Sequence, residues 1–437
     1  MNPNPASSSS TEETLVASAP RIVVGVDPGL DEHGVAVLAA GSCARLDRRK
    51  VPNTVAGMQS LVERLSEWRG RSGGQLTVAM EEASTYGEAL ECYLSQAGFS
   101  VVVVSEIKVA GFKKAMGGDA NDLLDAEAVA RFVLVQPDLV QRPARQAVEA
   151  DVHGSVHRRL RTLSRRHQRW TRDRTAAVNE LHAVLRMAWL ADYQRFFSDS
   201  ACGSALELWR TYPTPAEAAA AAVEEIAALL RKASHGRFTQ TVCAAKAADI
   251  QGTAKLLMFA LGKPDPHRWS GWAIDIRGLA RHVVHLDEQL AVLRRQMEEL
   301  LTGIDSPLRR SKGIGPVTAA AIHGETLSVH RFPSADHFAR YNGTAPREDS
   351  SGRGPRFVKN NRCNRRLRQA LMQLALNADK YMVASKAYLL HLKGHGLTGA
   401  AARIRLARRL SDIVYAMLRD NRPYDLEYYV THKKTAA

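Results

Sequence analysis

Residues Arg21 to Ala40 read RIVVGVDPGLDEHGVAVLAA. An apolar run ends on one carboxylate, Asp27, and a Pro-Gly turn leads into a second apolar run, Gly34 to Ala40. Runs of this kind, without polar alternation, read as strands buried on both faces in a sheet covered by helices. Further along, QLTVAM (75–80) and FSVVVV (99–104) repeat the pattern, and CARLDRRKVP (43–52) reads as a charged edge strand. VAGMQSLVERLSEW (55–68) and GEALECYLSQAG (87–98) have helical spacing. The order is three strands, helix, strand, helix, strand and helix, which predicts an α/β domain over residues 21–143. A strand-end Asp before Pro-Gly is often only a turn former, so the question is what else meets Asp27.

The chain is 437 residues long, 45% hydrophobic, with a formal charge of +15. Such a field favours a polyanionic partner, nucleic acid first and an anionic membrane surface second. No stretch approaches the roughly 20 apolar residues of a spanning helix, and no basic-then-apolar signal opens the chain. The five cysteines are scattered and never form a C-x-x-C pair, which argues against a disulfide framework or a cysteine zinc site. A cytoplasmic, reduced protein with no membrane partner is expected. The Ser- and Pro-rich residues 1–20 read as a disordered tail.

Residues 144–302 read as a helical, coiled-coil region. In the long segment from Val156 to Trp189, Val156, Leu160, Leu163, Trp170, Val178 and Leu181 fall on one side. Arg158, Arg161, Arg165, Arg169 and Arg172 fall on the other, with no acid interleaved before Asp173. That stripe is either a solvated face or a phosphate-binding one. YPTPAEAAAAAVEEIAALLRKASHG reads as one helix from a Thr-Pro start to Gly236, and residues 278–303 as a second long amphipathic helix able to pair with the first or to dimerise. From residue 303 to 437 the chain is basic and mainly α. There GIGPVTA places Gly313 and Gly315 in a helix–hairpin–helix-like turn, whose amides can approach a phosphate. Arg353, Arg356, Lys359, Arg362, Arg365 and Arg366 form a dense basic run suited to a nucleic-acid backbone.

Four acids can be considered together. Asp27 closes the first strand and Glu81 closes QLTVAM, while Asp122 and Asp125 lie one helical turn apart in GGDANDLLDAEAVARFVL. Neighbouring parallel strands end side by side, so Asp27 and Glu81 can meet at one sheet end with the helix bringing the other two. Close carboxylates repel, and divalent cations relieve the repulsion; an all-oxygen set suits Mg²⁺ or Mn²⁺, and two such ions serve phosphodiester cleavage. The bland reading is helix capping and dipole compensation. Glu82 competes with Glu81, and Asp119 with Asp122.

GVDPG, MEEASTYGEAL and NDLLDAEAVARF resemble the three acidic motifs of DEDD transposases of the insertion-sequence-110 type, a family that includes Piv-like invertases. The resemblance implies an RNase H-like (RuvC-like) N-terminal domain, with Asp27, Glu81, Asp122 and Asp125 as catalytic metal ligands. LRRSKGIGPVTAAAIHGE and the stretch from HRFPSADHF to LRQALMQLALNA are similar to the family's C-terminal transposase domain. There the Ser before Gly is a nucleophile that joins covalently to DNA; the matching residue is Ser351, with Ser350 one position away. KNNRCN departs from the usual K-x-G-N. The resemblance further implies double-stranded donor and target DNA, a structured bridge RNA, a dimer or tetramer, and a nucleoid-associated place in a bacterial cytoplasm. A RuvC-type nuclease using water alone, or a non-catalytic relic, are the competing readings.

Overall fold

The computed structural model describes residues 21–81, 87–104, 106–115, 121–136, 154–261, 265–350, 355–358, 360–361 and 363–425. The tail read at 1–20 lies outside them. The chain divides into two compact units, Met1–Gly154 with Ser328–Pro333, and Ser155–Leu327 with Ser334–Ala437. Most of the residues read as a coiled-coil region and as a separate C-terminal region thus share the second unit, while 144–154 and Ser328–Pro333 fall in the first.

The first unit is built on a five-stranded sheet of β1 (Ile22–Asp27), β2 (Glu32–Ala39), β3 (Arg45–Pro52), β4 (Leu76–Glu81) and β5 (Ser100–Val104). Its order is β3-β2-β1-β4-β5. The first three strands form an antiparallel meander, and β1, β4 and β5 run parallel. The uninterrupted apolar run of β1 has a direct cause. Ile22, Val24 and Val26 face one core, against Leu61 and Leu65 of α1 (Val55–Arg71) and Leu90 and Leu94 of α2 (Gly87–Gln96). Val23 faces the other core, with Val129 and Phe132 of α4 (Asp122–Val135). Each fully buried Leu or Val contributes about 1.5–3 kcal/mol of gross apolar transfer. The edge strand β3 carries Arg45, Arg48, Arg49 and Lys50, charges that discourage further strand pairing.

The sequence reading missed one helix, α3 (Glu106–Ala115), between β5 and α4. Its Gly111 and its lysines 113 and 114 leave little apolar signal, although Val109 is fully buried and Phe112 packs edge-on to Phe132.

The second unit opens with α5 (Gly154–Trp189) and includes α11 (Pro266–Gly303). These two long helices share a core through residues such as Leu181, Leu185, Ile276 and Val283, and Arg174 pairs with Asp287. The segment from Tyr212 to Gly236 is not the single helix expected. It breaks into α8 (Pro215–Ala220) and α9 (Val223–Ala233). Ala221 and Ala222 are extended there; the Glu225 carboxylate accepts from the Ala222 amide, and the buried Ala221 carbonyl accepts from Gln251 at 2.6 Å. Among the described residues, no helix is long and apolar enough to cross a membrane.

Candidate active site and nucleic-acid interface

Two glycines set the acidic site. A Cβ on Gly25 would sit 2.0 Å from the Ala126 carbonyl oxygen and 2.7 Å from the Ala130 amide. One on Gly34, the cross-strand partner of Asp27, would sit 2.3 Å from the Asp122 carbonyl oxygen. Without side chains at these points, α4 lies directly on β1 and β2. Its first turn, capped by Asn121, then delivers Asp122 and Asp125 to the end of β1. Val26 pairs with Met80 in parallel register, so Asp27 and Glu81 are the next residues on adjacent strands.

The arrangement couples the four acids electrically. Burial, then Glu81, Asp125 and Asp122, push the Asp27 carboxyl up to about 6, while Lys113 pulls the other way. Lys113, on α3, donates to Glu81 Oε2 at 3.2 Å and lies 3.1 Å from Asp125 Oδ1. Burial would lower the Lys113 pKa, but the two carboxylates outweigh it and hold it raised. Lys50, on the edge strand, donates to Asp122 Oδ2 at 3.0 Å. Among the described residues no three His, Cys, Asp or Glu side chains converge as a metal-holding group. The donor set fits a hard divalent cation none the less: it is all carboxylate, and the crowding that raises the Asp27 pKa is relieved by added positive charge. Glu82 and Asp119 lie outside the described residues. Neither lysine was found from the sequence, because both come from elements whose position over the acids only the fold reveals.

In the second unit the arginine stripe of α5 divides. Arg165 clamps Glu325 of α12 (Pro316–Thr326) with Nε at 2.6 Å and Nη2 at 3.0 Å, and Arg161 Nε lies 3.8 Å from the same carboxylate. Glu325 is 1% exposed; burial raises its pKa, but Arg165, Arg161 and the 2.8 Å hydrogen bond from Asn364 outweigh that and hold it low. Gly324 makes room for the contact, since a Cβ there would lie 2.5 Å from the Arg161 backbone. The acid that interleaves with the stripe was invisible in α5 because it arrives from another helix. Arg158, Arg169 and Arg172 have no ion partner among the described residues, and Arg169 and Arg172 are exposed. Gly313 adopts φ +87° against Tyr381, and Gly315 caps α12, with Pro316 as its first residue.

Ser350 ends strand β6 (Arg347–Ser350), paired with Pro355 of β7 (Pro355–Val358). Arg356 lies in β7, and Arg365 and Arg366 are exposed at the start of α14 (Arg365–Tyr381). Ser351, Arg353, Lys359 and Arg362 lie outside the described residues.

A mixed sheet in the order β3-β2-β1-β4-β5, with acids at the ends of the first and fourth strands and on the helix crossing them, defines an RNase H-like domain. Residues 24–190 match the DEDD model of the IS110 type, described as "Transposase", and residues 305–389 match "Transposase IS116/IS110/IS902 family". The 44.8 kDa protein of insertion element IS116 from Streptomyces clavuligerus is 28% identical over 409 residues, 92% of this chain and 96% of that protein. The 42 kDa protein of insertion element IS900 from Mycobacterium paratuberculosis is 26% identical over 405 residues, again 92% and 96%. The 43.6 kDa protein of insertion element IS110 from Streptomyces coelicolor is 32% identical over 160 residues, 35% of this chain and 38% of that one. Among solved structures, Thermus thermophilus RuvC in complex with a Holliday junction substrate is similar over 27% of this chain and 96% of that chain, at 18% identity and a TM-score of 0.22. The strand order and directions carry the fold assignment by themselves. The chain belongs to the IS110 family of DEDD transposases, and its activity is that of a DNA transposase.

Proposed function

We propose that this transposase cuts and rejoins DNA with Asp27, Glu81, Asp122 and Asp125 as ligands of Mg²⁺ or Mn²⁺ and with Ser351 as nucleophile. The reading is supported above all by Asp27, whose carboxyl is driven up to about 6 by burial and by the other three acids. Bound divalent ions would supply charge neutralisation to the carboxylates and electrostatic stabilisation to the phosphate under attack. Ser351 is a weak nucleophile until its proton is removed. Its oxygen forms a bond to phosphorus as one phosphodiester P–O bond breaks, and the released sugar oxygen takes up a proton. Attack by another sugar hydroxyl on the protein–DNA ester reverses the exchange and rejoins the strand.

Arg158, Arg169, Arg172, Arg353, Arg356, Lys359, Arg362, Arg365 and Arg366 hold backbone phosphates in this reading, with Gly313 and Gly315 adding amide contacts. Arg161 and Arg165 support the same surface through Glu325. Family resemblance further suggests a structured bridge RNA as guide, a dimer or tetramer, and a nucleoid-associated, cytoplasmic location. The boundaries 21–143, 144–302 and 303–437 are kept as the proposed catalytic, coiled-coil and serine-bearing regions.

Single-turnover reactions on element-end DNA, stopped in denaturant, test the scheme. A protein–DNA adduct should form with the wild type and with Ser350→Ala, and vanish with Ser351→Ala and Asp27→Asn. Cleavage by Ser351→Ala at the wild-type rate would establish water as the nucleophile instead. Full recombination by Asp27→Asn would remove the metal reading.

A further inference from the structure

Within the second unit, α5, α12 and α14 enclose a cleft of about 280 Å³, close to the lower limit of roughly 300 Å³ for small-molecule sites. Beside His167 and the hydroxyls of Ser164, Thr171 and Thr318, its walls combine three kinds of chemistry. Arg172 and Arg366 line it, and neither has an ion partner among the described residues. Gln168, Gln369 and Gln373 line it with amides, each both donor and acceptor, and Gln168 and Gln369 touch across the α5–α14 seam. Val317, Ala321 and Ala370 supply apolar wall. Glu325 is present but already clamped by Arg165, so positive charge is in excess. That excess is felt inside the cleft: burial first, then Arg165, Arg161 and Arg172, lowers the Arg366 pKa against the opposing pull of Glu325.

A bare phosphate would use the guanidiniums but neither the apolar wall nor the amide groups left over from the Gln168–Gln369 contact. A phosphate joined to a planar group with hydrogen-bonding edges uses all three. We infer that the cleft seats one nucleotide of a nucleic-acid strand turned out of its stack, with its phosphate on Arg172 and Arg366 and its base edge against Gln168, Gln369 and Gln373. Unstacking a base is costly, least where the base is already unpaired, so the site would select bulges, junctions and single strands. The inference rests on the nucleic-acid reading above and adds a specific subsite to it.

The test uses the full chain and a 2-aminopurine placed either as a one-nucleotide bulge or fully paired in an otherwise identical duplex, in DNA and in RNA form. The bulged probe should bind about tenfold more tightly, with a rise in fluorescence on binding as the base leaves its stack. The form that shows this identifies the strand the cleft serves. Gln369→Ala with Gln373→Ala should abolish the preference and leave affinity for the paired probe unchanged. Arg366→Gln should weaken both probes. These positions are exposed, so circular dichroism of the variants should match the wild type. Equal affinity for the two probes, or a preference unaffected by the double glutamine variant, would overturn the cleft as a nucleotide site while leaving nucleic-acid binding intact. No binding of any probe would instead remove the broader reading.

Discussion

Asp27 is in an unfavourable setting in the metal-free protein, and this has a measurable sign. Its carboxyl titrates near 6 in the fold against 3.8 for an ordinary aspartate. A raised folded pKa means that the native state holds the proton more tightly. The associated stability is present below about pH 3.8 and is lost as pH rises through 6. Asp27→Asn should therefore raise the melting temperature of the metal-free protein by about 2–4 °C at pH 7.5. The gain should shrink toward zero as pH falls to 4, and Mg²⁺ should no longer stabilise the variant. Scanning calorimetry in chelator and in Mg²⁺ measures both effects. Glu325 behaves in the opposite sense. Its lowered pKa gives stability that is present above the ordinary 4.5 and lost as pH falls through its folded value. At this scale the approach of Glu81, Asp122 and Asp125 to Asp27 was legible in the sequence, because strand ends and an i, i+3 helical pair are local patterns. Lys113 and Lys50 were not, because their partners lie in distant segments. Lys113→Met should push the Asp27 carboxyl further above 6, since the ammonium is the one neighbour named here that lowers it. A carboxyl-resolved NMR titration of Asp27 reads this directly, and a downward shift would contradict the geometry.

At the scale of elements, the position of α4 decides whether a site exists at all. The helix approaches β1 and β2 so closely that Gly25 and Gly34 have no space for a methyl group. Gly34→Ala would drive a Cβ toward the Asp122 carbonyl, and the helix must lift or the strand must bend. We expect a loss of about 3 kcal/mol, in the range of overpacking, together with loss of Mg²⁺ binding because Asp122 and Asp125 move with the helix. Gly41→Ala, with nothing within 4 Å of its added carbon, should change neither quantity. Equilibrium unfolding in urea alongside metal titration separates the two variants. The sequence carried the strands well because apolar runs are strong signals when both faces are buried. It carried α3 poorly because a lysine-rich helix over a carboxylate cluster has little apolar periodicity. It also fused α8 and α9, since an alanine run hides a break made by Glu225 and Gln251 side chains.

For the molecule as a whole, the +15 charge sets the affinity for polyanions, but not every arginine contributes to it. Binding to duplex DNA releases condensed counterions, and log Kobs falls with log salt by about 0.9 for each phosphate neutralised. A guanidinium already joined to a buried carboxylate has no charge to spare for a phosphate. Arg165 is such a group, tied to Glu325 at 2.6 and 3.0 Å, whereas the exposed Arg169, one helical turn away, has no ion partner among the described residues. Their glutamine variants should therefore differ in kind. Arg169→Gln should reduce the salt slope by about 0.9 and leave the unfolding midpoint unchanged. Arg165→Gln should leave the slope unchanged and cost about 3 kcal/mol of stability, because Glu325 is stranded as a buried charge. Adding Glu325→Gln to Arg165→Gln should recover most of that loss, since the amide needs no counter-charge. Fluorescence anisotropy over a salt series and urea unfolding on the same preparations give the two readouts. If Arg165→Gln lowered the slope and kept its stability, the stripe would be one uniform phosphate-binding face and the Glu325 clamp would have no structural role.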